Sequence, residues 1–246
     1  MKPILYQFPI SHYCEKVRWA LEHKDIEYEI KNLVPGPHLV TLKKIAPQSS
    51  TPVLQCEDKT IQGSEAIIDY IESINKHPPL TPTNAQAASM AHEWSRFADR
   101  NIGVPLRLFF YQHVLQQRRL ATHLLTAGGP WWGRPLYALA FPGIRRVMRK
   151  QMAINPENVE KAKSTIRTAL DHIGQRIEGR KYLVENTFSR ADLTVCALLA
   201  PSWRPTENLP GNFPGNFPGE LQEFIDEMHA HQALAWAQEI YATHRH

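Results

Sequence analysis

The sequence predicts an α/β domain with a mixed sheet, followed by an all-α helical bundle domain. Strand and helix patterns alternate over the first 75 residues, and strand patterns almost disappear beyond residue 84. A Pro-rich stretch, His77-Pro78-Pro79-Leu80-Thr81-Pro82-Thr83, separates the two regions and cannot continue a helix. A chain of 246 residues has room for two modest domains. We therefore expect domains at 1–76 and 87–246, joined by a linker at 77–86.

Hydrophobic periodicity defines the elements of the first region. Alternating apolar side chains predict strands, and an apolar repeat of 3.6 residues predicts helices. The expected order, βαβαββα, is typical of an α/β domain with a mixed sheet. The elements are a strand over 3–8, a helix over 13–24, a strand over 27–33, a short helix over 37–46, a hairpin of Val53–Cys56 with Thr60-Ile61 around Glu57-Asp58-Lys59, and a helix capped by Ser64.

The second region contains helical patterns almost throughout. The first of them is predicted to bend near Gly103 and Pro105. Ser189-Arg190-Ala191-Asp192 resembles a capping box, with Asp in place of the usual Glu, and precedes a buried apolar run. Residues 210–218 repeat the turn-forming unit Pro-Gly-Asn-Phe and predict a connecting loop. The helical patterns cover 84–127, 156–178, 193–199 and 220–243.

Composition and charge limit the class of protein. Hydrophobic residues make up 43% of the chain and charged residues 21%, an ordinary globular balance. The net charge of +4 is too small to indicate nucleic-acid binding without a clustered basic patch. One cluster exists, at Arg145, Arg146, Arg149 and Lys150 of a predicted helix. We interpret it as a solvated helix face; a basic stripe for an acidic partner is the alternative.

Cysteine usage and the N-terminus indicate the cellular compartment. Cys14, Cys56 and Cys196 have neither the pairing of a disulfide framework nor the spacing of a metal site. The N-terminal residues lead directly into a strand without the features of a signal peptide. Apolar runs are too short to span a bilayer. We therefore expect a soluble, cytoplasmic protein with no metal, nucleic-acid or membrane partner.

Ser11-His12-Tyr13-Cys14 lies where the first predicted strand runs into the first predicted helix. The start of a helix offers unpaired backbone N–H groups and the positive end of the helix dipole. Such a place favours a thiolate, which is the reactive form of a thiol. The motif therefore suits thiol chemistry, and the thiolate could belong either to this chain or to a bound ligand.

Four motifs in order resemble those of the cytosolic glutathione S-transferase family. Each is weak alone, but together they extend over the whole chain. The resemblance implies a thioredoxin-like N-terminal domain, glutathione as co-substrate with a hydrophobic electrophile, a homodimer and a role in detoxification. The motifs are the strand, Ser-x-x-Cys and helix at 4–24, then Pro47-Gln48-Ser49-Ser50-Thr51-Pro52-Val53-Leu54, then Gly63-Ser64-Glu65-Ala66-Ile67, then Ser189-Arg190-Ala191-Asp192.

The resemblance also assigns roles to residues. Ser11 takes the position of the catalytic hydroxyl of serine-type members, where a hydroxyl donor would stabilise the glutathione thiolate and lower its pKa. The alternative is that Ser11 only caps the helix. Thr51-Pro52 is expected to be a cis peptide that turns the Thr51 backbone toward the ligand. The implied glutathione-binding residues are Ser49, Thr51, Pro52, Ser64 and Glu65.

Two positions depart from the family pattern, and three further residues could contact the ligand. His12 stands where many relatives have proline, and Gly63 stands where they usually have an acidic residue before the serine. Glu65, which follows that serine, is the substitute that could reach the ammonium group of glutathione. His38 and Lys44 could hold its glycyl carboxylate, although a place on a helix surface explains them equally well.

Cys14 leaves a second chemistry open. It is in phase with the apolar positions Val17 and Leu21, so we expect a buried, unreactive thiol. A redox role is the alternative, because position 14 matches the second cysteine of a thioredoxin-type pair. Three hypotheses therefore remain: glutathione transfer through Ser11, glutathione-dependent reductase or peroxidase activity through Cys14, and non-catalytic binding.

The electrophile is expected between the two domains. Most aromatic side chains at helical spacing belong to a core, so only a minority should face a ligand. Trp131-Trp132 follows the loop Gly128-Gly129-Pro130 and is the pair expected to contact a bulky apolar molecule. The residues assigned to this hydrophobic site are Tyr13, Phe110 and Trp131.

Overall fold

A computed structural model describes residues 2–57, 59–203, 217 and 219–245. Its only sheet within those residues has the strand order β2-β1-β3-β4, with β1 parallel to β2 and antiparallel to β3. The hairpin of β3 and β4 is antiparallel, as its sequence pattern predicted. The predicted mixed sheet is therefore confirmed. The strands are β1 (Ile4–Gln7), β2 (Glu29–Asn32), β3 (Val53–Cys56) and β4 (Lys59–Gln62).

Three helices complete the thioredoxin-like order βαβαββα that the sequence predicted. Helix α1 (His12–His23) follows β1, α2 (His38–Leu42) follows β2, and α3 (Ser64–Ile74) follows β4. Helix α1 packs against α3, so its start lies at the edge of the first domain where β1 ends.

The start of α3 corrects one expectation. Ser64 does not cap this helix: it is the first helical residue, and Gly63 occupies the N-cap position with φ 96°. A left-handed backbone conformation of this kind favours glycine because it has no Cβ. The chain therefore uses the freedom of Gly63 to turn sharply from β4 into α3.

The rest of the described chain is helical. A π-helical turn, Asp99–Gly103, joins the first two helices at the predicted bend. The pattern predicted over 84–127 is divided into three helices, and that over 220–243 into two. Except for Phe217, the predicted loop 210–218 lies outside the described residues. The helices are α4 (Ala85–Ala98), α5 (Val104–Val114), α6 (Arg118–Thr126), α7 (Gly133–Gln151), α8 (Pro156–Ile177), α9 (Arg190–Leu199), α10 (Gly219–His229) and α11 (Gln232–His244).

Helix α9 is the centre of the molecule. All ten of its residues are buried, and it packs against α1, α4 and α11. The capping box predicted from Ser189 and Asp192 is present. The Ser189 side chain accepts a hydrogen bond from the backbone of the first turn, and the Asp192 side chain accepts one from the backbone N–H of Ser189. Asp192 Oδ1 also accepts a hydrogen bond from Leu183 N at 2.8 Å. This helix therefore joins the α/β part to the helical part.

Among the described residues, no helix is both long enough and apolar enough to cross a membrane.

Candidate functional site

A cavity of about 730 Å³ lies between the sheet domain and the helical region. The loop after β1, the start of α1, and the loops before and after α2 form one wall. Helices α5, α6 and α7 form the opposite wall. Clefts between domains with mainly apolar walls and a few polar groups are common ligand sites. The site residues expected from sequence that line this cavity are Ser11, Tyr13, Ser49, Thr51 and Phe110.

Ser11 is the N-cap of α1 and also part of the cavity wall. Its Oγ accepts a hydrogen bond from Cys14 N at 3.3 Å. A serine hydroxyl has two acceptor lone pairs and one donor proton, so accepting this bond leaves the proton available. The two interpretations of Ser11, helix cap and hydroxyl donor, are therefore compatible in a single side chain.

Cys14 lies beneath the cavity wall. Its side chain is fully buried, and its Sγ donates a weak hydrogen bond to Thr51 Oγ1 at 3.7 Å. Burial in this position matches the expectation from the spacing with Val17 and Leu21. Cys14 therefore links α1 to the loop that carries Thr51, two residues before β3 begins.

The loop before β3 is held by several contacts. The Thr51-Pro52 peptide is cis, as expected. Gly63 N donates to Pro52 O at 3.0 Å, so the start of α3 lies directly beside this peptide. Ser64 is buried at that helix start. Neither Pro52 nor Ser64 is among the residues that line this cavity.

Gln62 is a residue that sequence reasoning missed. Its Nε2 donates to Gln48 O at 2.9 Å and to Ser50 O at 2.7 Å, and its Oε1 accepts from Gln48 N at 3.0 Å. The carboxamide therefore fixes the backbone on both sides of Ser49. Nothing in the sequence distinguishes Gln62 from any other polar residue at a strand end.

His38 holds the same loop from the other side. Its Nδ1 accepts from Gly36 N at 2.9 Å, and its Nε2 lies 3.0 Å from Ser49 O. Burial lowers the pKa of His38. A neutral imidazole protonated on Nε2 satisfies both contacts. Lys44 is exposed and does not line the cavity.

His12 is the first residue of α1, and its imidazole lies next to Gly103 of the π-helical turn. Its side chain is buried, and its Nε2 has no hydrogen-bond partner. Burial, with a smaller contribution from the Arg107 guanidinium, lowers the pKa of His12 to about 3. The imidazole is therefore neutral at physiological pH. It adds a polar but uncharged group next to Ser11 on the cavity wall.

Tyr13 fixes the position of α1 against the π-helical turn. Its Oη donates to Asp99 O at 3.3 Å. A Cβ added at Gly103 would lie 2.4 Å from this hydroxyl oxygen. The turn therefore approaches α1 so closely that only glycine fits there. π-Helical turns often occur at functional sites, and this one forms part of the support for the cavity wall.

The helical wall carries aromatic and aliphatic side chains. Phe110 and Tyr111 come from α5, and Tyr137 comes from α7. Tyr137 Oη donates to Pro35 O at 2.5 Å and so connects α7 to the loop before α2. Burial raises the pKa of Tyr111 to about 12, which keeps its hydroxyl protonated. Gly143 also lies on this wall, and a Cβ there would have no atom within 4 Å.

One cation stands on this largely apolar wall. Arg107 of α5 is exposed on the cavity, and no carboxylate of the described residues forms an ion pair with it. Its charge acts on the pKa values of both His12 and Tyr111. Sequence reasoning did not select Arg107, because a single arginine on a helix has no distinguishing pattern.

Comparison with known protein families supports the same interpretation. Residues 5–79 match the model described as the glutathione S-transferase N-terminal domain. Residues 5–79 are therefore similar to the N-terminal domain of glutathione S-transferases. The matched residues run from the second residue of β1 to beyond the end of α3, and they include both the Ser11 motif and the Gly63-Ser64 turn.

Named relatives within this family differ in their activities. The chain is 27% identical over 135 residues to a probable maleylacetoacetate isomerase 2 of Drosophila melanogaster, covering 52% of this chain and 60% of that protein. It is 24% identical over 204 residues to glutathione S-transferase TCHQD of Arabidopsis thaliana, covering 80% and 75%. The match to glutathione S-transferase U2 of the same plant covers 40% of this chain and 44% of that protein. The chain thus spans about half the length of several of these relatives.

Solved structures share the complete fold. Beta-etherase LigF from Sphingobium has a TM-score of 0.65 at 19% identity, covering 97% of this chain and 99% of that one. FzlA from C. crescentus has a TM-score of 0.62 at 17% identity, covering 98% and 92%. A glutathione S-transferase from Methylobacterium radiotolerans, in complex with glutathione sulfonate, has a TM-score of 0.60 at 18% identity, covering 96% and 93%. These similarities concern the transferase fold alone.

Glu65, expected from the sequence as a glutathione contact, forms ion pairs with two buried cations. Its carboxylate pairs with Lys16 Nζ, and its Oε2 accepts from Arg190 Nη2 at 2.7 Å. Burial alone would raise the pKa of Glu65, but the Lys16 and Arg190 cations lower it. The side chain turns inward because both cations are buried and need a counter-charge.

Trp131 is also placed differently from the expectation. It is 87% exposed and does not line the cavity. It lies in the turn before α7, whereas the face of α7 that lines the cavity begins at Tyr137. The hydrophobic wall of this transferase fold therefore uses Tyr13 and Phe110 but not Trp131.

Within the described part of the chain, no three His, Cys, Asp or Glu side chains come together in a way that could hold a metal ion.

Proposed function

We propose that this protein is a glutathione transferase that activates the thiol of glutathione with the Ser11 hydroxyl. The observation that carries the proposal is the double role of Ser11, which caps α1 and at the same time faces a cavity of about 730 Å³. The similarity of residues 5–79 to the glutathione S-transferase N-terminal domain supports glutathione as co-substrate.

The chemistry follows from the surroundings of Ser11. The Ser11 proton would donate to the glutathione sulfur, which stabilises the thiolate relative to the thiol and lowers its pKa. The first turn of α1 adds the positive end of the helix dipole. The thiol proton leaves to solvent, and the sulfur lone pair forms a bond to an electrophilic carbon. A leaving group departs with its bonding electrons, or an activated double bond takes up a proton.

Glutathione would lie along the loop that the sheet domain presents to the cavity. Thr51 would pair through its backbone with the cysteinyl part of glutathione, as an added strand would, and Ser49 would contact the ligand beside it. Ser64, at the start of α3, would bind the γ-glutamyl carboxylate, because helix N-termini bind anions. Pro52 shapes this turn, and Glu65 supports it from behind through Lys16 and Arg190.

The acceptor would occupy the wall formed by Tyr13, Phe110 and α7. An apolar molecule of drug-like size fits a cavity of this volume and lining. Named relatives include an isomerase and a beta-etherase, so transfer to an electrophile or a related thiol addition both suit this site. The full burial of Cys14 argues against the alternative of a reductase or peroxidase acting through that thiol.

The first experiment is calorimetric titration of the full chain with glutathione, with Ser64→Ala as the binding variant. We expect binding that weakens in Ser64→Ala and is largely kept in Ser11→Ala. Absence of binding in the wild type would overturn glutathione as co-substrate and favour a non-catalytic binding protein.

The second experiment separates the two roles of Ser11. Ultraviolet titration of the bound thiol should show a pKa about one to two units higher in Ser11→Ala, the size expected for a hydrogen bond to a charged acceptor. Ser11→Thr keeps both a cap and a hydroxyl and should stay close to the wild type. Equal turnover of a chloronitrobenzene acceptor by Ser11→Ala would show that Ser11 only caps the helix.

A further inference from the structure

The charges of this chain are distributed unevenly. Between Asp99 and Glu157 the sequence contains no Asp or Glu, although it contains nine of the 28 Lys and Arg residues. The remainder of the chain therefore has an excess of acidic residues, against a net charge of +4 for the whole. This stretch includes α6 and α7, which pack on each other as a helical hairpin over 118–151.

The same hairpin exposes large apolar side chains. Trp131, in the turn before α7, is 87% exposed, and Leu139, in the first half of α7, is 84% exposed. Trp132 and Leu136 are exposed beside them. Single exposed hydrophobic residues are ordinary, but a group of four in nine residues, two of them tryptophan, marks an interaction surface.

Basic side chains continue this surface along α7. Arg146 and Lys150 follow Leu139 at intervals of seven and four residues, so the three lie on one face of the helix. All three are exposed. Arg118 Nη2 of α6 donates a hydrogen bond to Ala138 O of α7 and so connects the two helices. Arg119, the next residue of α6, is also exposed. We call the exposed side chains of this combination the outer face of the hairpin: Arg118, Arg119, Trp131, Trp132, Leu136, Leu139, Arg146 and Lys150.

The inner face of α7 belongs to the cavity. Tyr137, Ile144 and Met148 line it, at intervals of seven and four residues. Helix α7 therefore lines the cavity with one face and exposes apolar and cationic side chains on the opposite face. Whatever contacts the outer face lies within one helix diameter of the cavity.

The charge pattern selects the kind of partner. A second copy of this chain that met the outer face about a twofold axis passing through that face would bring like charges together, because residues near such an axis meet their own copies. A nucleic acid would satisfy Arg146 and Lys150 but not the protruding Leu139 and Trp131. An amphipathic helix with Trp and Leu beside Arg and Lys suits the interface of an anionic bilayer, where both kinds of side chain are satisfied.

We propose that the outer face of the α6–α7 hairpin binds the surface of membranes that contain anionic lipids. Trp131 and Leu139 enter the headgroup region, and Arg146 and Lys150 contact lipid phosphates. The basic cluster, interpreted from sequence as a solvated face, thus serves the alternative of an acidic partner. The cavity then opens near the bilayer, where apolar molecules concentrate. This proposal does not depend on the identity of the reaction.

Sedimentation of the full chain with lipid vesicles tests this binding. Vesicles of phosphatidylcholine mixed with phosphatidylglycerol should bind the wild type, and vesicles of phosphatidylcholine alone should bind it much more weakly. The variant Arg146→Gln/Lys150→Gln should lose about fivefold in partitioning for each charge removed. Its matched control is Arg180→Gln/Lys181→Gln, which removes the same charge from another exposed surface and should bind like the wild type.

The apolar contribution has its own pair of variants. Trp131→Ser/Leu139→Ser should reduce partitioning by about tenfold or more, because burial of such side chains drives interfacial binding. Ile74→Ser removes an exposed apolar side chain elsewhere and should have no effect. Quenching by brominated lipids should disappear in Trp131→Phe/Trp132→Phe, which reports depth directly.

Three outcomes would overturn the proposal. One is no sedimentation of the wild type with anionic vesicles. Another is sedimentation that the control pairs reduce as much as the outer-face variants do. The third is saturable binding to a duplex oligonucleotide, or concentration-dependent dimerisation lost in the outer-face variants, without binding to vesicles. Circular dichroism of each variant, matching the wild type, shows that lost binding does not come from unfolding.

Discussion

At the scale of single residues, Ser11 combines a helix cap with a place on the cavity wall. Its oxygen accepts the α1 cap hydrogen bond from Cys14 N, and this bond does not use its hydroxyl proton. Sequence reasoning treated the cap and the catalytic hydroxyl as alternatives. The two were hard to separate from sequence because both require the same residue at the same helix start.

His12 gives a prediction about pH. Its pKa is about 3 in the folded chain against 6.5 for an ordinary histidine, so the unfolded state binds more protons between these values. The free energy of unfolding should therefore fall as the pH falls below 6.5, by up to about 1.4 kcal/mol per pH unit from this group. Urea denaturation of wild type and His12→Gln between neutral pH and about pH 5 should show a shallower decrease in the variant.

The control for this prediction is His77→Gln. His77 is exposed in the segment between α3 and α4, and its replacement should leave the pH dependence unchanged. Parallel curves for wild type and His12→Gln would show that the imidazole titrates without penalty and that its surroundings open on protonation.

At the scale of elements, the π-helical turn decides how the two parts of the site meet. The sequence predicted a bend near Gly103 and Pro105, and the structure has a π-helical turn at Asp99–Gly103. Its width lets Tyr13 reach the backbone of Asp99. A π-turn differs from a proline bend only in backbone hydrogen bonding, and residue pattern does not reveal that difference.

Gly103→Ala tests this close approach. The added Cβ would lie 2.4 Å from Tyr13 Oη and 3.2 Å from Leu198 Cδ1, so α1 or the turn must shift. We expect a loss of about 1 to 3 kcal/mol in unfolding free energy, as for other over-packed cores. We also expect weaker glutathione binding, because Ser11 is carried on the same helix start.

Gly143→Ala is the matched control. It is also a helical glycine, but its Cβ would meet no atom within 4 Å. An alanine there should be neutral or stabilising by up to about 1 kcal/mol, because glycine is unfavourable inside helices. Equal thermal stability of the two variants would mean that the Tyr13 contact adapts without cost.

Element boundaries were less predictable than element types. The pattern over 84–127 gave no sign of the break after Val114, because Leu115, Gln116 and Gln117 are all tolerated in helices. The capping box at Ser189 was predictable, since it depends only on residues three positions apart. Local signals of this kind are encoded in sequence, whereas a break imposed by packing is not.

At the scale of the whole molecule, a buried group of charges joins the two domains. Lys16 of α1, Glu65 of α3 and Arg190 of α9 meet between the sheet and the helical bundle, and Asp69 Oδ1 accepts from Arg190 Nη1 at 2.6 Å. Glu65 and Arg190 lie 125 positions apart in the sequence. A local sequence pattern does not show partners at that distance, so this group of ion pairs was not predicted.

Glu65→Gln should therefore act on stability. The variant removes the carboxylate that the buried Lys16 and Arg190 share and leaves them only Asp99 and Asp69 as counter-charges, and we expect a loss of about 3 kcal/mol in unfolding free energy. Asp69→Asn, at a carboxylate that is largely exposed, should cost less than about 1 kcal/mol. Urea denaturation followed by both fluorescence and circular dichroism measures the effect and shows whether both domains unfold together.

The direction of the pH effect supplies a further check on this group. The lowered pKa of Glu65 means that its stabilising contribution is present above the ordinary carboxyl pKa of 4.5 and is lost as the pH falls below it. The difference in unfolding free energy between wild type and Glu65→Gln should therefore shrink at acidic pH. A variant as stable as the wild type at neutral pH, but with weakened glutathione binding, would return Glu65 to the ligand site.

Gly143 bears on how proteins of this kind diversify. Its position on the cavity wall leaves open space around the missing side chain, while Ser11 and the loop at Thr51 lie on the opposite wall. A single codon change there adds bulk to the helical wall of the cavity and leaves Ser11 and the Thr51 loop untouched. Gene duplication followed by substitution at this one position would thus change the shape of the cavity in descendants while the opposite wall is inherited intact.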